Sequence, residues 1–170
     1  MTKVRFTKSL DVSATRAWEV IADFKNIQRF HPLVDHVDML SDNERGVGAI
    51  RVCNMYDDTS VAEEVTQWKE GQGYTVELSD FSMPVKSATA TLTVESTGAG
   101  KSDVTFAMEF TPKFGPLGWV MGQVMMRPMM TKLLNQVLAG LEHHAATGEL
   151  VGEGWTPTKA RANASAIQRI

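Results

Sequence analysis

Apolar and polar residues alternate over much of residues 1–112, which is the period of β-strands with one buried face. The clearest case is residues 88–95, in which four apolar residues interleave with threonines and Glu95. The alternation predicts strands at residues 4–12, 34–40, 49–55, 60–68, 74–81, 88–95 and 104–110. Short polar turns separate the later strands, so neighbours in sequence are expected to pair antiparallel.

Two stretches follow the helical period instead. Residues 14–24 carry apolar residues at helical spacing behind Ser13, which is a favourable N-cap residue. Residues 27–30 add one more turn before a His-Pro pair, because the residue before proline is pushed out of the α region. From about residue 116 to 144 the pattern is helical again and rich in methionine.

The long helix carries two rows of apolar residues at spacing four. One row runs through Met121, Met125, Met129, Leu133, Val137 and Leu141, and its neighbour through Met126, Met130, Leu134 and Leu138. Because a helix has 3.6 residues per turn, such rows drift by roughly 40° per step and the two helix ends present different apolar faces. Pro128 lies between those ends and removes a helical hydrogen bond, which predicts a kink near Arg127 and Pro128.

A half-polar sheet and an amphipathic helix bury their apolar faces against each other. We therefore predict an α+β domain with the helix-grip fold at residues 1–146: a strongly curved antiparallel sheet of six to seven strands, wrapped around a long C-terminal helix. Two short helices follow its first strand. Residues 147–170 hold three glycines and few apolar residues, which predicts a tail that is either mobile or docked on a neighbour.

Composition narrows the class of protein. The 170 residues are 43% hydrophobic and 22% charged, which is ordinary for one globular domain. The net charge is −3 and no cluster of Lys and Arg occurs, so we expect no nucleic-acid partner. No run of 18 apolar residues and no signal-like segment is present, which favours a cytoplasmic protein without stable membrane insertion. The single cysteine, Cys53, cannot form an intramolecular disulfide.

Recognisable catalytic motifs are missing from the sequence. It contains no G-x-S-x-G elbow, no phosphate-binding glycine loop, no H-E-x-x-H motif and no cysteine placed with a histidine partner. One group of possible metal ligands occurs in the sequence: His31, Asp35, His36 and Asp38. However, the two histidines are separated by a proline, and no further ligand of suitable spacing follows. We expect neither a cofactor nor a bound metal.

Eleven short segments of the chain form an ordered sequence pattern. Each segment alone is unspecific, but their order and spacing together are specific. They are Val12-Ser13-Ala14, Ala17-Trp18-Glu19-Val20, Asp23-Phe24, Phe30-His31-Pro32, Gly48-Ala49-Ile50-Arg51, Val61-Ala62-Glu63-Glu64-Val65, Tyr74, Met83-Pro84-Val85, Ala90-Thr91-Leu92, Val104-Thr105-Phe106 and Phe110. Over residues 3–146 the chain thereby resembles the SRPBCC superfamily, which includes START domains, birch-pollen-type allergens and abscisic-acid receptors. The bacterial polyketide cyclase/dehydrase-like branch is the most similar. The resemblance implies a helix-grip domain that holds a ligand.

Arg51 and Glu63 are the most informative charged residues, because each stands on a strand otherwise made of apolar or neutral residues. In the superfamily that the chain resembles, the matching positions often face inward, and a buried charge is tolerated only when paired. Alternation alone cannot fix which face they occupy. Two hypotheses stay open: a solvent-exposed pair on the convex face, or a polar anchor for the head group of a ligand.

The inward faces of the strands and the long helix are expected to line an apolar pocket with a few polar groups. Methionine is flexible and suits a wall that adapts to its ligand, although a methionine-rich stripe is more often plain core. His31 is expected to close the mouth of the pocket, and the loop of residues 82–84 lies near its entrance. The predicted ligand-binding residues are Phe30, His31, Arg51, Glu63, Tyr74, Leu78, Met83, Ala90, Leu92, Phe106, Met108, Met125, Met129 and Leu133.

Three functions fit these features. The leading hypothesis is a protein that binds or carries a small hydrophobic molecule, such as a lipid, an isoprenoid or an aromatic metabolite. The alternative is a polyketide cyclase or dehydratase in which Glu63, with Arg51 or His31, serves as acid and base. The third is a protein-interaction or co-chaperone-like module, with a homodimer in which the tail of residues 147–170 adds to a neighbouring subunit.

Overall fold

Seven strands form one antiparallel sheet in a computed structural model, in which residues 2–80, 85–112, 120, 124 and 127–158 are described. The elements are β1 (Thr2–Leu10), α1 (Ala14–Ala22), a 3₁₀ helix (Phe24–Arg29), β2 (Val34–Met39), β3 (Ile50–Met55), β4 (Ser60–Lys69), β5 (Gly73–Ser79), β6 (Val85–Gly98), β7 (Lys101–Pro112) and α2 (Arg127–Thr147). The strand order is β1-β7-β6-β5-β4-β3-β2, so β1 and β2 are the edges. The predicted helix-grip architecture is confirmed.

The boundary between β1 and α1 differs from the one expected from alternation. β1 ends at Leu10 and does not continue to Val12, because Ser13 already caps the helix that follows. The Ser13 hydroxyl accepts a hydrogen bond from the Arg16 backbone N–H at 3.2 Å, as an N-cap residue does. After α1 the chain tightens into the 3₁₀ helix, which brings Phe24 beside the sheet.

Cross-strand register decides which side chains share a face, since directly opposite residues of an antiparallel pair point to the same side. Three rows cross the concave face: Arg51, Glu63, Leu78, Ala88, Phe110 and Thr2; then Val65, Val76, Ala90, Met108 and Val4; then Trp68, Tyr74, Leu92, Phe106 and Phe6. The second row is entirely apolar, whereas the first contains two charges. These three rows therefore form a mostly apolar surface with an ion pair near one edge.

The helix α2 buries the described part of the second apolar row and exposes part of the first. Met130, Leu134 and Leu138 are buried, whereas Met129 is 50% exposed and Leu141 of the same row is buried, which agrees with the drift of spacing-four rows. The helix packs on β1 and α1. Pro128 lies in the first turn of the described helix. Residues 121–123 and 125–126 lie outside the described residues, so the kink near Pro128 stays a prediction.

The beginning of the predicted tail docks on its own domain. Val151 is 1% exposed, and its backbone N–H donates to the Arg29 carbonyl at 2.9 Å. His144 donates from Nδ1 to the Glu149 carbonyl at 2.7 Å. This segment and Gly140 of α2 enclose the backbone of Phe30: a Cβ atom at Gly140 would lie 2.3 Å from the Phe30 carbonyl oxygen. Residues 159–170 lie outside the described part of the chain.

Candidate ligand-binding site

Arg51 and Glu63 form an ion pair on the concave face. They lie directly opposite each other on β3 and β4, and the register places them in one row with buried Leu78. Arg51 Nε and Nη2 both donate to Glu63 Oε2, at 2.8 Å and 2.5 Å. The Arg51 side chain is 2% exposed and that of Glu63 is 12% exposed. Of the two hypotheses for this pair, the structure supports the inward-facing one.

The first residue of the 3₁₀ helix, Phe24, contacts Arg51 through its backbone and its ring. Arg51 Nη1 donates a hydrogen bond to the backbone carbonyl of Phe24. The Phe24 ring lies over the guanidinium, with its centroid 3.8 Å from Cζ, which is cation–π geometry. Burial acts to lower the pKa of Arg51, but the interactions with Glu63, Cys53 and Tyr74 together outweigh burial and raise the pKa above its ordinary value. Arg51 is therefore charged, and three of its five N–H groups donate to its own chain.

An aromatic stack continues from Phe24 along the third row. The Tyr74 ring meets Phe24 edge-on at a centroid distance of 5.8 Å and stacks on Trp68 at 5.5 Å. Burial raises the pKa of the Tyr74 phenol. Its hydroxyl oxygen is buried and has no hydrogen-bond partner among the described residues, which is uncommon for a buried polar atom.

Glu70 accepts hydrogen bonds at the Trp68 end of this aromatic stack. The indole N–H groups of Trp68 and Trp18 donate to its carboxylate at 2.8 Å and 3.1 Å, and Arg45 donates to both of its oxygens at 2.8 Å. Hydrogen bonds from Trp68, then Trp18, then Arg45 lower the pKa of Glu70 to about 2. The carboxylate is thus ionised near neutral pH and ties the turn after β4 to α1 and to the loop before β3.

Two further titratable groups beside Arg51 are held neutral. Burial, followed by the charge of Arg51, lowers the pKa of His31 to about 3. The Leu33 backbone N–H donates to His31 Nδ1 at 3.3 Å, so the proton of the neutral ring is on Nε2. Burial and the Glu63 carboxylate raise the pKa of the Cys53 thiol to about 12. The ion pair is therefore surrounded by uncharged groups.

Most of the predicted ligand-binding residues lie on the buried side of the sheet or beside it. Phe30, Leu78, Ala90, Leu92 and Phe106 are buried, and Met108 and Leu133 are partly buried against the same core. Met129 stands apart from them on the exposed side of α2. Met83, Met125 and the loop of residues 82–84 lie outside the described residues.

Sequence reasoning missed Phe24 and Cys53 as neighbours of the ion pair. Phe24 is 27 residues from Arg51 along the chain, so no spacing in the sequence relates the two. Cys53 is on the same strand and two positions from Arg51, which places both side chains on one face. That period-two relation was the available signal for Cys53. The position of Phe24 depends on where the 3₁₀ helix meets the sheet.

An open groove of about 570 Å³ lies between the edge strand β1 and the helix α2. Phe6, Pro128, Thr131, Lys132 and Asn135 line it. Because Phe6 ends the third row of the concave face, the groove continues that apolar surface to the outside of the molecule. The residues on its helical wall follow an i, i+3, i+4, i+7 pattern from Pro128 and so share one side of α2.

The described residues contain no group of three or more His, Cys, Asp or Glu side chains arranged to hold a metal ion. His36 contacts Asp35 at 2.9 Å, but both side chains are at least half exposed on the edge strand β2. Within the same part of the chain, no helix is both long and apolar enough to cross a membrane.

The sheet, the packed helix and the apolar face between them define a helix-grip domain, and comparison with known proteins agrees. The family model described as polyketide cyclase / dehydrase and lipid transport matches residues 1–146, and the chain belongs to this family. The predicted membership of the SRPBCC superfamily is confirmed. A search of curated proteins found no match.

Several solved structures share the fold at low sequence identity. The protein XoxI from Bacillus cereus superposes with a TM-score of 0.72 at 17% identity, covering 86% of this chain and 97% of that one. An aromatase/cyclase, ZhuI, from a Streptomyces species gives 0.66 at 14% identity, covering 86% and 97%. The ginseng major latex-like protein 151 from Panax ginseng gives 0.67 at 14% identity, covering 85% and 97%. At these identities the likeness concerns the fold.

Proposed function

We propose that this protein binds or carries a small hydrophobic molecule between the concave face of the sheet and the helix α2. The observation that carries the proposal is the composition of that face: among the described residues, apolar rows are interrupted by one buried ion pair, Arg51–Glu63. A mostly apolar concave surface with a few fixed polar groups is the usual form of a small-molecule site. The groove beside Phe6 lies at the end of the third row of this face and is the entrance that we propose.

Catalysis by a cyclase or dehydratase is the rival, since the family description names such enzymes and ZhuI is an aromatase/cyclase. The pKa of His31 and the hydrogen bonds of Glu63 favour binding over catalysis. A general acid or base works best with a pKa near the operating pH, whereas the pKa of His31 is lowered to about 3. Glu63 already accepts two hydrogen bonds from Arg51, so its carboxylate is engaged by its own chain.

Enlarging a small residue of the concave face tests the proposal. Ala90 is 3% exposed in the apolar second row, whereas its neighbour Thr89 is exposed on the convex face. We expect Ala90→Leu to weaken binding of an uncharged fluorescent probe, Nile red, by about tenfold or more, and the control Thr89→Leu to leave it unchanged. Thermal melts would confirm that both variants fold.

Native mass spectrometry of the protein purified from its own host gives an independent readout. A co-purified apolar molecule, lost in Ala90→Leu but kept in Thr89→Leu, would support the proposal and identify the ligand class. Equal Nile red binding by both variants, together with no bound molecule in the wild type, would overturn it. Turnover of an aromatic polyketide by the wild type but not by Glu63→Gln would favour the enzyme.

A further inference from the structure

We propose that the ion pair selects ligands with an uncharged hydroxyl group, which donates a hydrogen bond to Glu63 Oε1, and that it discriminates against ligands with a free carboxylate. The inference rests on the proposed function and adds a ligand class to it. It runs against the simplest interpretation of a buried arginine, which is that the cation anchors an acid.

Most of the hydrogen-bonding capacity of the Arg51 guanidinium is used within the chain. Three of its N–H groups are used within the chain: Nε and Nη2 donate to Glu63 Oε2, and Nη1 donates to the Phe24 carbonyl. The Phe24 ring covers the guanidinium at 3.8 Å. With 2% of its side chain exposed and two of its five N–H groups left, the cation offers a ligand little accessible surface. A ligand carboxylate would have to compete with Glu63 for it.

Glu63 is the more accessible partner. Both hydrogen bonds from Arg51 fall on Oε2, and Oε1 accepts none from any described residue. The side chain keeps 12% of its surface exposed, six times the fraction of Arg51. An ionised carboxylate only accepts hydrogen bonds, so the ligand group that fits Oε1 is a donor. A hydrogen bond to a charged group contributes about tenfold or more in affinity, which is enough for selection.

The charge balance excludes an acid. Arg51 and Glu63 neutralise each other, so a second carboxylate would meet Glu63 without a free cation and would lose its own hydration. His31 adds no positive charge, because its ring is neutral and Nδ1 already accepts from Leu33. Lys8, which also lies on the concave side, is paired with Glu142 at 3.2 Å.

Three ligands of one shape test the inference: 2-naphthol, 2-naphthoate and 2-methylnaphthalene, titrated at pH 7 by calorimetry. We expect the wild type to bind 2-naphthol about tenfold tighter than 2-methylnaphthalene, because of one hydrogen bond to a carboxylate, and 2-naphthoate the weakest. Tighter binding of 2-naphthoate than of 2-naphthol would overturn the inference and leave the proposed function standing. Binding of none of the three would overturn both.

Glu63→Gln makes the test sharper, since it removes the negative charge and leaves Arg51 uncompensated. We expect its preference to reverse in favour of 2-naphthoate. The matched control is Glu64→Gln, whose side chain is exposed on the convex face and whose preference should stay that of the wild type. A Glu63→Gln variant that still prefers 2-naphthol would contradict the inference.

A second variant covers the case in which Glu63→Gln does not fold. Arg51→Met combined with Glu63→Leu removes both charges and keeps an apolar wall. We expect this double variant to bind 2-naphthol and 2-methylnaphthalene with affinities within about threefold of each other, because the acceptor is gone. An undiminished preference for 2-naphthol in this variant would refute a role for Glu63.

Discussion

Removing the Arg51–Glu63 pair one residue at a time and then together would separate its role in stability from its role in recognition. The single variants are Arg51→Met and Glu63→Leu, and the double variant carries both. Each single variant leaves a charge without its partner on a mostly buried face. The double variant leaves two apolar side chains beside Leu78 in the same row.

The magnitudes follow from the geometry of the pair. For unit charges about 4 Å apart, an effective dielectric constant near 20 gives an attraction of about 4 kcal/mol. Taking two ions out of water costs several kcal/mol each, so the pair contributes little net stability. We expect Arg51→Met to lower the free energy of unfolding by about 3–5 kcal/mol, and Glu63→Leu by a similar amount because Arg51 is 2% exposed. The double variant should lie within about 1 kcal/mol of the wild type or above it.

Urea unfolding followed by circular dichroism measures all four proteins, and the double-mutant cycle gives the coupling energy. We expect a coupling of about 5 kcal/mol or more, because each single loss is about 3–5 kcal/mol whereas the loss in the double variant is close to zero. Additive losses in the double variant would refute the reasoning, because they would mean that the two charges stabilise the fold independently. A double variant as stable as the wild type would indicate that the pair is not needed for folding.

Two other regions give predictions of their own. The pKa of His31 is about 3 in the folded chain, below its ordinary value of 6.5, so the unfolded chain binds more protons between these values. The free energy of unfolding should fall by up to about 1.4 kcal/mol per pH unit as the pH drops through that range. His31→Asn should therefore show a weaker dependence of the urea midpoint on pH between pH 6 and 4 than the wild type. Equal dependence in the two proteins would contradict this. Gly140→Ala should gain about 1 kcal/mol in helix propensity but lose more to the clash 2.3 Å from the Phe30 oxygen. Ala139→Gly, which should lose about 1 kcal/mol, calibrates the propensity, and a Gly140→Ala variant with a higher melting temperature would refute the close approach.

Strand and helix types could be predicted because their periods are local. Alternation located all seven strands, and the apolar rows of the last helix predicted its buried side, with Leu134 and Leu138 at 0% exposure. The Ser13 cap was visible for the same reason: its hydrogen bond spans three residues. Boundaries moved where two local signals competed, as at Val12, which fits the strand pattern but precedes the cap.

The face occupied by Arg51 and Glu63 could not be predicted. A one-residue change of register turns every side chain of a strand to the other face, and alternation of neutral and charged residues does not choose between the two. Pairing of β4 with β3 on one side and β5 on the other made the choice, by placing both residues in a row with buried Leu78. The exposure of Met129 also depended on the packing angle of α2, which the sequence pattern leaves free.

The sequence by itself determined the elements of this protein, their order and the antiparallel meander, because these follow from side-chain periods and short connections. Only the tertiary structure decided how the ion pair is used. Phe24 is 27 residues from Arg51 along the chain. In the folded structure its carbonyl accepts one hydrogen bond from Arg51 and its ring covers the guanidinium, so that Glu63 is the more accessible partner of the pair. Such a contact depends on how the 3₁₀ helix packs against the sheet, and no local sequence pattern encodes that packing.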